Sequence, residues 1–142
     1  MLDKDRISKK LSGLEVYLKN LGSMAPKSLD AYKKADNILK SAIERNLQLV
    51  SDAELDILAL LYKGLGLRLS GDDESIIESL SGKMSKKTIN RVKERRTLRN
   101  LLIHAYAERG YDEEAFDQAH YTGDVNEFIK DVRRLLDSSY MK

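Results

Sequence analysis

The sequence predicts an all-α fold, built as an up-and-down bundle of four main helices with one or two short helices. Apolar residues recur at intervals of three and four along most of the chain, and no segment sustains the alternation of a half-buried strand. Most of the glycines and the single proline stand between the periodic segments, where they end helices. With 142 residues, 42% of them hydrophobic, the chain is large enough to bury its own core, so we predict a single domain over residues 1–142.

In the first half of the chain, the spacing of apolar residues predicts one separate helix and one long helical segment. The first helix is expected over residues 4–23 from an apolar stripe: Ile7, Leu11, Leu14, Leu18 and Leu21. Pro26 follows this helix, and Ser28 is a suitable N-cap for the next segment. That segment is predicted as helix to Lys63, with a bend near Asp36. Its wide apolar arc is typical of a central helix packed on more than one side.

Three further helical segments are expected in the second half. A short helix over residues 73–80 carries Ile76, Ile77 and Leu80. After Gly82, a long helix is predicted over residues 85–108, and Gly110 is suited to its end. The last segment, over residues 112–138, is predicted to be helical with a break near Gly123.

Composition excludes several classes of protein. The chain has no cysteine, so disulfides, thiolate nucleophiles and cysteine metal sites are excluded. The first ten residues, MLDKDRISKK, have no apolar signal core. The most apolar stretch, ILALLYKGLGLRL, is interrupted by Lys63 and Arg68, so no membrane span is expected. We therefore predict a cytoplasmic protein that does not bind membranes.

Positive charge is concentrated in one block between Lys86 and Arg99. This block contains seven lysines and arginines and one acid, Glu94, although the net charge of the whole chain is only +2. A local positive field attracts polyanions such as RNA. Candidate phosphate contacts in the block are Lys93, Arg95 and Arg96. A basic run by itself is more commonly a solvated helix face, so the block alone does not identify RNA as the partner.

The basic block leads into the segment RNLLIHAY, residues 99–106. On a helical wheel, one arc of about 100° holds the core-facing residues Leu98, Leu101, Leu102 and Ala105. The other side holds Arg95, Arg96, Arg99, Asn100 and Tyr106, with His104 at its edge. The wheel thus predicts that the arginine, asparagine, histidine and tyrosine of the segment share a surface outside the core.

Three aliphatic residues, Ile89, Val92 and Ile103, fall in the same polar arc. A face that mixes aliphatics with arginine, histidine and tyrosine is more typical of an interface or a cleft than of a solvated surface. A second copy of the helix would cover these aliphatics, and a two-fold homodimer would bring two arginine–histidine sets together.

The side chains on this surface suit RNA cleavage without a metal or a cofactor. Histidine transfers protons near neutral pH, and arginine binds phosphate through a fixed fork of donors. The ribose 2′-hydroxyl is an internal nucleophile, so one base, one acid and one cation suffice. His104 supplies one proton-transfer group in each chain, and a dimer supplies the second. Spacing alone is a weak signal, because a helical histidine beside an arginine is more commonly structural.

The segment RNLLIHAY also resembles the signature of the HEPN superfamily (higher eukaryote and prokaryote nucleotide-binding domains), and most closely that of the HepT-type ribonuclease toxins. These toxins carry Arg-Asn, with four residues between the Arg and the His, and a Tyr two residues after the His. The segment SAIERNLQLVSDAELDIL resembles the second conserved helix of the same family. Many relatives have glycine between the histidine and the tyrosine, where this chain has Ala105.

The resemblance implies a function and roles for four residues. Arg99 and His104 match the catalytic pair of metal-independent endoribonucleases, and Asn100 matches the polar residue that supports the site. Tyr106 matches the tyrosine that the partner antitoxin, a minimal nucleotidyltransferase called MntA, modifies with AMP. The family acts as a homodimer with the cleft between two motif helices. The alternative is a non-catalytic helical subunit that binds a nucleotide or the nucleotidyltransferase.

Other polar residues are predicted to be structural. Asp52 and Asp56 lie one turn apart, and without a nearby histidine they are expected to form salt bridges, Asp52 with Arg45, rather than a metal pair. His120 lacks an arginine at motif spacing and is expected to be a surface or packing residue.

Overall fold

The computed structural model describes residues 2–66, 72–104, 111–120 and 122–140, apart from the side chains of His104, Ser139 and Tyr140. Within this part of the chain every regular element is an α-helix. The helices are α1 (Lys4–Met24), α2 (Leu29–Lys34), α3 (Asn37–Gly64), α4 (Asp73–Leu80), α5 (Lys86–His104), α6 (Asp112–His120) and α7 (Gly123–Tyr140).

The predicted all-α bundle is confirmed, with one difference in the short helices. Four long helices are present as expected, but the described residues contain three short helices, α2, α4 and α6, instead of one or two. The bend predicted near Asp36 is a full break, because the Asp36 carboxylate accepts a hydrogen bond from the Leu39 backbone at 2.8 Å and starts α3 as a new helix. The expected break near Gly123 separates α6 from α7.

Side-chain caps also mark the starts of α1, α2 and α4. Asp3 accepts a hydrogen bond from the Arg6 backbone at α1, and Ser28 accepts one from Ala31 at α2. Asp72 does the same for Ser75 at α4, and these hydrogen bonds from Ser75 lower the pKa of Asp72. The predicted Ser28 cap is therefore confirmed, and α4 has the bounds that the sequence predicts.

The core is built around α3, as its wide apolar arc predicts. Ile57, Leu58 and Leu61 on α3 are fully buried. Helix α1 packs along α3, and α4, α5 and α6 also contact it. Helix α7 closes the other side of α5 and contributes the buried Phe128 and Val132.

The buried side of α5 is wider than the helical wheel predicted. Leu98 and Leu102 are buried as expected, but Ile89, Val92 and Arg95, which were placed on the polar surface, are also at most 6% exposed. Those three placements are wrong because α5 packs against α3, α6 and α7 rather than against one neighbour. Ile103, at 40% exposed, is the member of the predicted aliphatic set that lies at the surface.

No helix in the described ranges is both long and apolar enough to cross a membrane.

Candidate functional site

The segment that contains Arg99 and His104 lies on a single continuous helix, the last part of α5. The backbone therefore places Arg99, Asn100 and His104 within less than two helical turns of one another. The side chain of His104 and all of Tyr106 lie outside the described residues. The predicted alignment of Arg99 with Tyr106 falls there too and stays a prediction.

Two hydrogen bonds hold the guanidinium of Arg99. Its Nε donates to Oδ1 of Asp52 on α3 at 2.8 Å, and its Nη1 donates to Oδ1 of Asn100 at 2.8 Å. The Arg99 side chain is 27% exposed and that of Asp52 is 39% exposed, so the group lies at the rim of the α3–α5 interface. Within the described ranges Nη2 of Arg99 has no hydrogen-bond partner.

The bond between Arg99 and Asn100 also orients the Asn100 amide. A guanidinium carries only donors, so the carbonyl oxygen of Asn100 must face Arg99, and its NH₂ group faces away. Asn100 therefore supports the position of Arg99 and presents a neutral donor beside it. The role in catalysis that the family resemblance implies for Asn100 stays a prediction.

One turn before Arg99, Arg95 forms a closed ion pair with Glu54 of α3. Its Nε and Nη2 donate to the two carboxylate oxygens at 2.7 Å each, and the Arg95 and Glu54 side chains are 7% and 1% exposed. Burial raises the pKa of Glu54, although the charge and hydrogen bonds of Arg95 act in the opposite direction. The predicted phosphate contact of Arg95 needs an accessible guanidinium, and the structure places this one in the core.

The two other predicted phosphate contacts are paired with acids of α4. Lys93 Nζ lies 2.6 Å from a carboxylate oxygen of Glu78, and Arg96 Nε lies 3.5 Å from one of Asp73. Unlike Arg95, Lys93 and Arg96 are not buried, so both remain at the surface of α5. The positive charge of the basic block is thus largely balanced by carboxylates from neighbouring helices.

One of the two aspartates for which the sequence predicts salt bridges, Asp52, belongs to this site. Asp52 and Asp56 do form salt bridges, as expected, but Asp52 pairs with Arg99 rather than Arg45, and Asp56 pairs with Lys10 at 3.2 Å. Arg45 instead donates to Gln48. The sequence carried a signal for Glu54, since a charge inside a buried arc requires a partner. The sequence carried no signal that Asp52 pairs with Arg99 rather than with Arg45.

A cavity of about 740 Å³ lies on the other flank of α5, between α5, α6 and the start of α7. Its lining includes Arg91, Glu94, Leu98, Asp117 and Asp124. Arg91 is held there by Glu94 at 2.8 Å and Asp124 at 3.0 Å, and the hydrogen bond to Glu94 is the main cause that raises the pKa of Arg91. The arginine–asparagine pair of the motif does not line this cavity.

The His120 ring also borders this cavity and stacks on Phe116, with the ring centres 5.2 Å apart. His120 is thus a surface residue with a packing contact, as the sequence predicts.

The helical bundle with Arg99 and His104 five residues apart on one helix has the arrangement expected of the HEPN class. Residues 14–122 match the family model described as Ribonuclease HepT-like, so the chain belongs to the HepT-like ribonuclease family. The resemblance drawn from RNLLIHAY is thereby confirmed.

Comparison with curated proteins gives no match. Among solved structures the chain is similar to YutE from Bacillus subtilis, which is described as a cytosolic protein of unknown function. The TM-score is 0.80, with 19% identity over 97% of this chain and 93% of that chain. At this identity the likeness establishes the fold.

Proposed function

We propose that the protein is a metal-independent endoribonuclease toxin of a toxin–antitoxin module, with Arg99 and His104 as its catalytic pair. The observation that carries the proposal is the Arg99 guanidinium, held by Asp52 and Asn100 at the surface of the helix that also bears His104. Membership of the HepT-like ribonuclease family supports RNA as the substrate.

The reaction needs no group beyond those of the protein and the RNA. A base removes the proton of the ribose 2′-hydroxyl, and the 2′-oxygen forms a bond to the adjacent phosphorus. The bond from phosphorus to the 5′-oxygen breaks, and an acid protonates that oxygen. The products are a 2′,3′-cyclic phosphate and a 5′-hydroxyl. Arg99 donates to the non-bridging oxygens, where negative charge increases in the transition state.

Two proton-transfer groups are required, and His104 supplies one in each chain. We therefore propose that the active form is a homodimer in which the ends of two α5 helices meet. Ile103, which is 40% exposed, is the aliphatic residue beside His104 that a second α5 would cover. Lys93 and Arg96 lie along the same helix and are suited to neighbouring phosphates, which can displace the Glu78 and Asp73 carboxylates. Arg95 is not part of this set.

We further propose that Tyr106 is the site at which a nucleotidyltransferase antitoxin of the MntA type adds AMP. The addition would place a negative phosphodiester and an adenosine near the cleft, where the phosphodiester can pair with Arg99 and exclude the RNA backbone. Both proteins would then act in the cytoplasm, where RNA is present.

Cleavage of RNA by the purified, unmodified protein in the presence of EDTA tests the proposed reaction. We expect cleaved RNA with 2′,3′-cyclic phosphate ends, and loss of at least about 100-fold in kcat for His104→Ala and for Arg99→Ala, since each removes a group used in the transition state.

Circular dichroism shows whether each variant is folded. Full activity of His104→Ala contradicts the mechanism. A folded wild-type protein that binds the nucleotidyltransferase but never cuts RNA identifies the non-catalytic binding subunit instead.

A further inference from the structure

The geometry assigns Asp52 of α3 as the positioning residue for the catalytic guanidinium of Arg99. This inference rests on the proposed ribonuclease function and extends it to a residue outside the RNLLIHAY segment. It arises from a comparison of two arginines, Arg95 and Arg99, that lie one turn apart on α5 and meet two acids of α3, Glu54 and Asp52.

The first arginine, Arg95, is bound by both carboxylate oxygens of its partner. Arg95 uses the Nε–Nη2 edge of its guanidinium for both oxygens of Glu54, at 2.7 Å each, and both side chains are more than nine-tenths buried. A bidentate pair of this kind satisfies both acceptor oxygens and neutralises the cation. It is suited to holding α3 against α5.

The second arginine, Arg99, is bound by only one carboxylate oxygen of its partner. Asp52 accepts from Arg99 through Nε only, at 2.8 Å, and Asn100 accepts from Nη1, at 2.8 Å. A guanidinium has five N–H bonds, so these two hydrogen bonds leave three without a partner in the described part of the chain, both on Nη2 and one on Nη1. The plane of the guanidinium is fixed while its outer end remains available.

Fixing the plane has a direct value for catalysis. A free arginine side chain carries about 2 kcal/mol of rotamer entropy, and ordering it in the transition state opposes the reaction. Donors held in place before the substrate arrives do not incur that cost when charge develops on the phosphorus. Asp52 is therefore expected to act on kcat through Arg99, without touching the RNA.

The same helix offers a matched control. Asp56 lies one turn after Asp52 and also forms a single-contact salt bridge, to Lys10 at 3.2 Å, on the side of α3 that faces α1. Its side chain is 59% exposed, against 39% for Asp52. Asp56→Ala therefore removes the same charge from the same helix without changing Arg99.

The test measures kcat and KM for wild type, Asp52→Ala, Asp52→Asn and Asp56→Ala on a fluorophore–quencher single-stranded RNA that contains all four nucleotides. A hydrogen bond to a charged group corresponds to about 10- to 100-fold in rate, so Asp52→Ala should lower kcat by about that factor. KM should change little. Asp52→Asn keeps the Oδ1 acceptor and should recover most of the rate, whereas Asp56→Ala should match wild type.

A second readout does not depend on activity. In ¹⁵N NMR spectra of the full-length protein, the Nε–H signal of Arg99, identified by its absence in Arg99→Lys, should be protected from exchange with water. Asp52→Ala should remove the protection and Asp56→Ala should retain it. Thermal unfolding of each variant shows whether the fold is intact.

The outcomes separate the two proposals. If the wild type cleaves RNA, Arg99→Ala abolishes cleavage and Asp52→Ala leaves it unchanged, then Asp52 does not position Arg99. The ribonuclease function is unaffected by that result. A decrease of the same size in Asp52→Ala and Asp56→Ala also overturns the positioning role, because the effect is then one of general charge. If the wild type cuts no RNA, the ribonuclease function fails. The NMR protection then decides separately whether Asp52 holds Arg99.

Discussion

The buried pair of Glu54 and Arg95 shows how strongly one residue depends on its partner. Glu54 is 1% exposed and lies beside the buried Leu55 and Leu58 of α3. Removal of one member of such a pair leaves an isolated charge in the core, which is far less favourable than replacement of both members by apolar residues. We therefore expect that replacing one member of the pair destabilises the fold strongly, whereas replacing both members together does not.

Arg95→Met is predicted to lower the free energy of unfolding by about 3–5 kcal/mol, because it leaves the Glu54 carboxylate buried without a cation. The double variant Glu54→Leu/Arg95→Met should recover most of that loss. Urea unfolding followed by circular dichroism measures both. A single variant as stable as wild type would show that the pair does not hold α3 against α5.

The pH dependence of this effect has a defined sign. Burial raises the pKa of Glu54 above its ordinary value of 4.5, so this carboxyl binds its proton more readily in the folded state than in the unfolded chain. Its contribution to stability is complete below pH 4.5 and is lost as the pH rises through the folded pKa. Arg95→Met removes the charge and hydrogen bonds that oppose this rise, so the Glu54 carboxyl of the variant takes up its proton at a higher pH than that of the wild type. The stability deficit of the variant should therefore shrink as the pH falls toward 4.5, and a deficit that is constant with pH contradicts this account.

Arg95 also shows why the helical wheel predicts a surface position for a residue that is buried. An arginine at this point of a basic run is expected at the surface, because charged residues are rarely buried without a partner. The partner, Glu54, is 41 positions away in the chain. The periodicity of α5 contains no information about which acid of α3 lies opposite that turn.

At the scale of elements, acidic side chains of α4 pair with basic side chains of α5. Glu78 and Asp73 of α4 face Lys93 and Arg96 of α5, at 2.6 and 3.5 Å. Exposed ion pairs of this kind contribute only about 0–1 kcal/mol, so RNA phosphates can compete for the same cations. Helix α4 is therefore expected to weaken RNA binding without preventing it.

The double variant Asp73→Asn/Glu78→Gln is predicted to bind single-stranded RNA more tightly, because two competing carboxylates are removed. If Lys93 and Arg96 each gain a phosphate contact, the slope of log K against log salt should steepen by up to about 1.4. Fluorescence anisotropy in a His104→Ala background, which prevents cleavage, measures this effect.

Glu15→Gln/Glu127→Gln is the matched control for this prediction. It breaks two exposed ion pairs, with Arg133 and Lys130, in which no residue of α4 or α5 takes part. The control should bind RNA like the parent. Equal gains in both double variants would mean that net charge, and not the position of α4, sets the affinity.

Most element boundaries could be predicted because their signals are local. Asp72 caps α4, and the three apolar residues Ile76, Ile77 and Leu80 follow at helical spacing. The break at Asp36 was expected only as a bend. A long apolar pattern continues across it, and whether the Asp36 side chain caps a new helix depends on a choice between two backbone conformations of similar energy.

At the scale of the whole molecule, the proposed control by AMP addition requires a second protein. If this protein is produced together with a nucleotidyltransferase of the MntA type, intact mass analysis should show the addition of AMP, and peptide mapping should place it on Tyr106. Tyr106→Phe should remain unmodified and toxic in a growth assay with the partner present. Full neutralisation of Tyr106→Phe would exclude modification of this residue as the switch.

Apolar residues at helical spacing, caps and breakers were enough to establish the helical class and most helix boundaries, and the likeness of RNLLIHAY to a known signature was enough to indicate the family. These depend on interactions within a few residues of the chain. Tertiary structure alone determined that Ile89, Val92 and Arg95 face the core, and that Glu54 takes Arg95 while Asp52 takes Arg99. These pairings depend on which turns of α3 and α5 meet, and helix packing sets that register between residues more than 40 positions apart.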